Sequence, residues 1–435
     1  MRRVPIALFI LCLLTACSKN ESAMNPLPDV SAVRLNLAFT CVHEADHLPP
    51  LDPEADKLFQ YARFLEKKEG AKDFNDVARY YRIAAAFGHY KANHNLQILI
   101  SSGMASSPDP EKESVDLAEQ LIKAGVPSGY YDIGHYLLNG YGVQKDDDAA
   151  QRYIRKAADL GNADAQYYVG NLLDPADAAP DIALKMFQCA ADQGHAEAAN
   201  YLGVSFQTDK KLVAAAKAFQ TSVTAGSSQS ALLLEEAFDV SGGKDPLTNL
   251  GVHADAERSR RYALVGKFLR ANDGRNPKVL DIDKIVPLPP AKLPPWDGTF
   301  QWQKEQDAAV PPQKPTNEVV DQMAKAKHLD PATGLPLANP AEKTSQEDQP
   351  ANLAARLPLG TVAHTGQQCP EDGVWCAKLD AGQVGDAKRR FLKGDSLPSV
   401  VVHEPRRLAV LDSMMGTRQH MAPVAWELVA YLDQA

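Results

Sequence analysis

The 435-residue chain has no excess of basic charge: 46 Lys and Arg stand against 55 Asp and Glu, a formal net charge of −9. Nucleic-acid binding needs a basic surface, so that class of partner is excluded. Beyond the first segment, no apolar run is long enough to cross a bilayer. No nucleophile elbow, phosphate loop or glycine-rich dinucleotide turn is present, and the carboxylates scatter along helical stretches without a spacing that pairs them. No enzyme activity, cofactor or small-molecule substrate is therefore expected. Cysteine is sparse, six in all.

What is present is a recurrence. Gly88, Gly125, Gly161, Gly194 and Gly226 lie 37, 36, 33 and 32 residues apart by residue number, a period typical of repeat architectures. Counting back 4, 7, 8 and 11 positions from each glycine exposes the same apolar face. From Gly161 it is Ala157, Ile154, Tyr153 and Ala150; from Gly194 it is Ala190, Phe187, Met186 and Ala183. This spacing predicts an amphipathic helix closed by a C-terminal glycine. A second set, Gly134, Gly170 and Gly203, recurs inside the preceding helices, where propensity gives no reason for glycine. Close approach of a neighbouring helix is the expected cause.

One pattern suggests zinc chemistry. His43-Glu44-x-x-His47 has the zincin spacing, in which two histidines one helical turn apart hold the metal and the glutamate activates water. Pro49 and Pro50 follow at once, so a helix would end within a turn of His47. The expectation is a cap ahead of the first repeat, with no bound metal; a zinc metalloprotease through His43, Glu44 and His47 is the third reading.

At the N-terminus, Arg2 and Arg3 precede an apolar run from Val4 to Leu14, the form of a secretory signal. The run ends in Leu14-Thr15-Ala16-Cys17, which resembles a bacterial lipobox. That resemblance implies lipidation at Cys17, attachment to the membrane through the N-terminal lipid alone, and an outer-membrane lipoprotein facing the periplasm. With Cys12 of the signal and Cys17 set aside, four of the six cysteines remain in an oxidising compartment: Cys41, Cys189, Cys369 and Cys376. Cys369 and Cys376 are close in sequence and are expected to pair. Cys41 with Cys189 is left open, because Cys189 adjoins the apolar face of a repeat helix and burial alone accounts for it.

Tyr131 to Ala165 resembles the Sel-one-like repeats of the tetratricopeptide group. Gly134, Gly140, Gly142, Val143, Ala149, Tyr153, Lys156, Ala157, Ala158 and Gly161 fall on that family's motif. The resemblance implies a right-handed α-solenoid of helix-turn-helix repeats with a concave protein-binding face, all-α apart from the C-terminal region. The expected organisation is a signal peptide over 1–17, a spacer and cap over 18–53, repeats over 54–285, and a proline- and tryptophan-rich extended segment over 286–340. A linker over 341–355 and a small α+β module over 356–435 complete it, with short strands at Val400–Val402 and Leu408–Leu411 and a last helix over Ala422–Leu432.

The block from Pro287 to Trp302 resembles one found in uncharacterised bacterial lipoproteins that stand beside phospholipase effectors of type VI secretion. The stretch from Thr365 through Cys369, Trp375 and Cys376 to Arg389, Arg390 and Phe391 resembles a module from the same setting. The implied function is immunity: binding a phospholipase-type toxin and covering its active cleft. Candidate contact residues are Tyr131, Tyr136, Tyr141, Trp375, Arg389 and Arg390. A general cell-envelope scaffold without a toxin partner is the alternative.

Overall fold

The computed structural model describes residues 37–175, 178–239, 248–337, 356–379, 388–404 and 418–431. From Phe39 onward the chain forms one compact unit. Its body is six antiparallel helix pairs: α1 (Pro53–Lys67) with α2 (Phe74–Ala86), α3 (Tyr90–Ser101) with α4 (Pro110–Lys123), and α5 (Pro127–Asn139) with α6 (Asp147–Asp159). There follow α7 (Ala163–Leu173) with α8 (Pro180–Asp192), α9 (Ala196–Thr208) with α10 (Leu212–Thr224), and α11 (Ser228–Phe238) with α12 (Ala256–Ala271). Each second helix also packs on the first helix of the next pair. The repeats of the sequence are thus the repeats of an α-solenoid.

The recurring glycines close the second helices by one mechanism. After α6, the Asn162 N–H donates to the Ala157 carbonyl and the Gly161 N–H to that of Ala158; after α8, His195 and Gly194 donate to Ala190 and Ala191. This paired closure is a Schellman motif and needs a left-handed residue, which the five glycines supply with φ between 73° and 108°. The next residue starts the following helix. Side chains of His89, Asn162, His195 and Ser227 accept from the backbone N–H three residues on, satisfying a donor that a helix start leaves orphaned. Two residues therefore end one helix and begin another.

The glycines inside the first helices have a different cause. A Cβ on Gly134 would stand 2.4 Å from Ile154 Cγ1, one on Gly170 2.7 Å from the Phe187 ring, and one on Gly203 2.5 Å from the Phe219 ring. Each first helix presses its backbone on a large side chain of its partner, as the recurrence predicts.

Beyond α12 the chain turns back along the solenoid. A short helix α13 (Ile282–Ile285) leads into the proline-rich stretch, whose carbonyls are gripped by arginines of α12. Arg258 donates to the Pro287 and Ala291 carbonyls, and Arg261 to those of Ile285 and Pro294 at 2.6 and 2.8 Å. Proline removes N–H donors, so carbonyls are what such a segment offers. Trp296 lies against Arg261 and Phe300, and Trp302 against Phe268 and Arg275. Both tryptophans thus anchor the segment.

Past α14 (Gln301–Ala308) an extended run reaches α15 (Asn317–Ala326), whose Val320, Met323 and Ala324 join the core of the first pair beside Tyr80 and Tyr81. Arg79 and Arg82 of α2 then hold the Pro331 and Thr333 carbonyls. One strap therefore links the last helix pair to the first.

The C-terminal module consists, among the described residues, of strands: β1 (Val362–His364), β2 (Gly373–Lys378), β3 (Lys388–Phe391), β4 (Val400–Glu404), β5 (Arg418–Ala422) and β6 (Ala425–Tyr431). A four-stranded antiparallel sheet runs β1-β6-β2-β3, and β4 pairs with β5. The last helix expected over Ala422–Leu432 is instead β6, whose inward residues Trp426 and Leu428 alternate with outward ones. That period of two belongs to a sheet with one buried face. The strand at Val400 is present; Leu408–Leu411 lies outside the described residues, as does Cys17.

Candidate functional site

The first helices of successive pairs lie side by side and offer one continuous face. The first helices carry half-exposed apolar residues, Ile98 of α3, Leu172 of α7, Val204 of α9 and Leu232 of α11, between 43% and 49% exposed. Aromatic and ionisable side chains lie among them. Tyr131 and His135 of α5 meet edge to face at 4.4 Å, and His135 faces Tyr168 of α7 at 5.8 Å.

The polar residues of this face are coupled across the pairs. His94 of α3 lies 3.5 Å from an Asp132 oxygen of α5, an ion-pair distance that holds the imidazole above its ordinary pKa. Gln97 Nε2 reaches the same carboxylate, and its Oε1 accepts from the Tyr136 hydroxyl at 2.7 Å. Asp164 of α7 meets His195 Nε2 at 3.3 Å, and this partner keeps the Asp164 carboxyl below its usual range. Asp164 and Glu197 are 65% and 69% exposed in their side chains, which leaves the edge of the face acidic.

The segment ahead of α1 closes one rim of this surface. Glu44 donates its N–H to the Gly161 carbonyl at 3.1 Å. Its carboxylate accepts from the Ser128 N–H and from Asn162, and Gln166 donates to the Val42 carbonyl. Burial raises the Glu44 pKa above its ordinary value, and the Asn162 and Ser128 bonds only partly oppose that. A disulfide from Cys41 to Cys189 of α8 fastens the segment, with Cα atoms 5.6 Å apart.

The zincin pattern does not assemble. Residues Glu44–Asp46 form a single 3-10 turn. Glu44 is turned into the helix pairs while His47 is exposed, so the long helix that would align the three side chains is missing.

The candidate contact residues divide. Tyr131 is half-buried on the first-helix face, and burial together with the nearby Asp164 carboxylate raises its pKa to about 12. Tyr136 works between pairs through Gln97 and packs at 5.3 Å on Tyr141 of the following turn. Trp375, a candidate contact residue in the sequence, is instead fully buried on β2 beside Trp426 and Phe391, with its indole N–H on the Glu371 carbonyl. Arg389 and Arg390 are half-buried on β3, and the Arg390 carbonyl accepts from Arg152 of α6 at 2.7 Å. Leu392 enters the core of α4, α5 and α6, so this edge attaches the module to the solenoid.

The expected Cys369–Cys376 pair is absent: both are free thiols. Cys369 belongs to the core with Trp375, whereas Cys376 is the neighbour of Trp375 along β2 and so points to the other face. The sheet keeps them apart. The docking of Val42 and Glu44 on Asn162, Gln166 and Gln193 is not legible in the sequence; its one local trace is Asn162, the polar residue that follows Gly161.

No curated protein matches this chain. Among solved structures it is similar to the immunity protein PA5088 from Pseudomonas aeruginosa, at 27% identity over 58% of this chain and 94% of that one, with a TM-score of 0.49. It is also similar to immunity protein Pa5087 of the same organism, at 29% identity over 58% and 95%, TM-score 0.48. A Sel1 repeat protein from Oxalobacter formigenes is similar at 21% identity over 52% and 91%, TM-score 0.37. Residues 230–337, which hold the last helix pair, the arginine-gripped segment and the return to the first pair, match a domain of unknown function, DUF6396.

Proposed function

We propose that this chain binds a toxic effector protein and neutralises it by covering its working surface. The structural observation that carries the reading is the set of first helices, where Ile98, Leu172, Val204 and Leu232 recur half-exposed across four pairs. A single exposed apolar residue is ordinary, but one on each of four first helices of the same array gives a protein partner several anchors to bury. Such an interface covers roughly 1,600 Å² and depends on a few anchors. The chain acts as a binder and not as an enzyme.

The toxin class comes from the resemblance of the Pro287–Trp302 block and of the stretch around Trp375, which name a type VI phospholipase. The role of immunity is also that of the two Pseudomonas proteins similar to this chain. The lipobox resemblance at Cys17 supports a position on the outer membrane, facing the periplasm. Cells that make a type VI phospholipase effector of the matching class in the periplasm should survive with this protein and die without it. An Ile98→Asp, Leu172→Asp variant should fold and lose protection. Equal killing with and without the wild-type protein overturns the proposal.

A further inference from the structure

The first histidine of the misleading zincin pattern has another set of neighbours. His43 stands two residues from Cys41, and a ring nitrogen of His43 and the sulfurs of Cys41 and Cys189 all lie within 4.8 Å of one another. We propose that these three residues form a redox-gated site for a thiophilic ion of the Zn²⁺ class. The ion fastens the N-terminal segment to α8 whenever the Cys41–Cys189 disulfide is reduced.

Two sulfurs and one imidazole are a ligand set for such an ion, with metal–sulfur bonds of about 2.3 Å and metal–nitrogen bonds of about 2.0 Å. Ligand atoms of a tetrahedral centre then sit roughly 3.3–3.8 Å apart. Reaching that geometry needs the sulfurs to part and the imidazole to close by about an ångström. The parts that move are on the segment side: Cys189 is fixed in α8 and buried, whereas Cys41 is exposed. Among the described residues no hydrogen bond restrains the His43 ring.

The backbone on both sides of His43 is held without the disulfide. Gln166 grips the Val42 carbonyl, and Glu44 is bound through its N–H and its carboxylate. Reduction therefore leaves the three ligands together. A dithiol supplies two electrons and two protons, the Cys41–Cys189 bond breaks to two thiols, and the dithiol becomes a disulfide. Metal binding then expels the two thiol protons to solvent as both sulfurs become thiolates. In the oxidised protein the sulfurs are bonded to each other and the site is off.

The test uses the full chain, anaerobic, with a phosphine reductant and Co²⁺ as the probe. Reduced wild-type protein should take up one equivalent of Co²⁺ with a thiolate-to-metal charge-transfer band, which Zn²⁺ displaces. The oxidised protein should show none. Because Cys369 and Cys376 are also thiols, the assignment rests on variants: Cys41→Ser should abolish the band, and His43→Ala should weaken binding at least about tenfold. Helical circular dichroism reports that each variant folds. Zn²⁺ should also slow proteolysis between residues 41 and 47 in reduced wild type but not in reduced His43→Ala. The absence of binding to the reduced protein, or equal binding by both variants, overturns the site; unchanged proteolysis overturns the fastening.

Discussion

Two of the repeat glycines offer a matched perturbation. Gly161 and Gly194 both end second helices in the left-handed region, at φ +106° and +85°. A Cβ at Gly194 meets nothing within 4 Å, whereas one at Gly161 would stand 2.5 Å from the Glu44 nitrogen and 2.5 Å from the His43 carbonyl carbon. Alanine at either position costs about 1–2 kcal/mol for the left-handed backbone alone. At Gly161 it must also lift the segment. That breaks the Glu44 N–H bond to Gly161, the Ser128 bond to the Glu44 carboxylate and the Gln166 bond to Val42. Three net hydrogen bonds at roughly 1 kcal/mol each bring the total for Gly161→Ala to about 4–5 kcal/mol. Urea unfolding followed by far-ultraviolet circular dichroism measures both, and proteolysis before α1 reports the lifted segment. If the two variants cost the same to within about 0.5 kcal/mol, the segment does not contribute to the stability of the solenoid.

Other predictions concern pH, the module and its thiols. His89 accepts the Ala92 N–H at Nδ1, so its proton sits on Nε2 facing Asp56, and burial lowers its pKa. A depressed folded pKa means that its contribution is complete above the unfolded value of about 6.5 and is lost as pH falls toward the folded one. Melting at about pH 7.5 and about pH 5.5 should show a smaller acid loss for His89→Asn, which keeps the cap, by up to about 1 kcal/mol. His94, held up by Asp132, runs in the opposite sense, so the comparison with the variant is what isolates His89. Arg152→Ala removes the bond to the Arg390 carbonyl and the contact with Asp395; it should weaken the docking of the module by about 1–3 kcal/mol, read as faster proteolysis beyond residue 356. A brief maleimide pulse followed by peptide mapping should label Cys376 and spare Cys369, whose thiol burial pushes up to about 12. Protection of both would restore the rejected disulfide.

The solenoid was legible because its signals are local. A glycine at a fixed interval, an apolar stripe behind it and a costly glycine ahead of it all act within one helix pair, and the structure returns each of them. Proline after His47 argues locally against a zincin helix, and a single 3-10 turn is what stands there. The failures share a different cause. Whether Cys369 meets Cys376 depends on which side of the sheet each side chain lies, and whether residues 422–432 are helix or strand depends on pairing with β1 and β2, which are distant in sequence. Trp375 counts as a contact candidate in the sequence because a Cys369–Cys376 bridge would close a small loop around it; the sheet instead buries it through alternation. The docking of Glu44 on Gly161 spans more than a hundred residues and leaves no periodic trace.

The strap from α12 back to α2 changes how such a stack is able to come apart. A linear array of repeats frays from its termini, because an end unit has a neighbour on one side only. Here the first pair holds α15 in its own core and the last pair holds the proline-rich carbonyls, so neither terminal unit is an ordinary end. The array behaves as a closed loop in which losing any one unit opens the whole circuit. Its melting should correspondingly be all-or-none, with far-ultraviolet circular dichroism and tryptophan fluorescence falling in one coincident transition. A protein of the kind proposed as partner would then meet an array tied at both ends, and not a spring that stretches to fit.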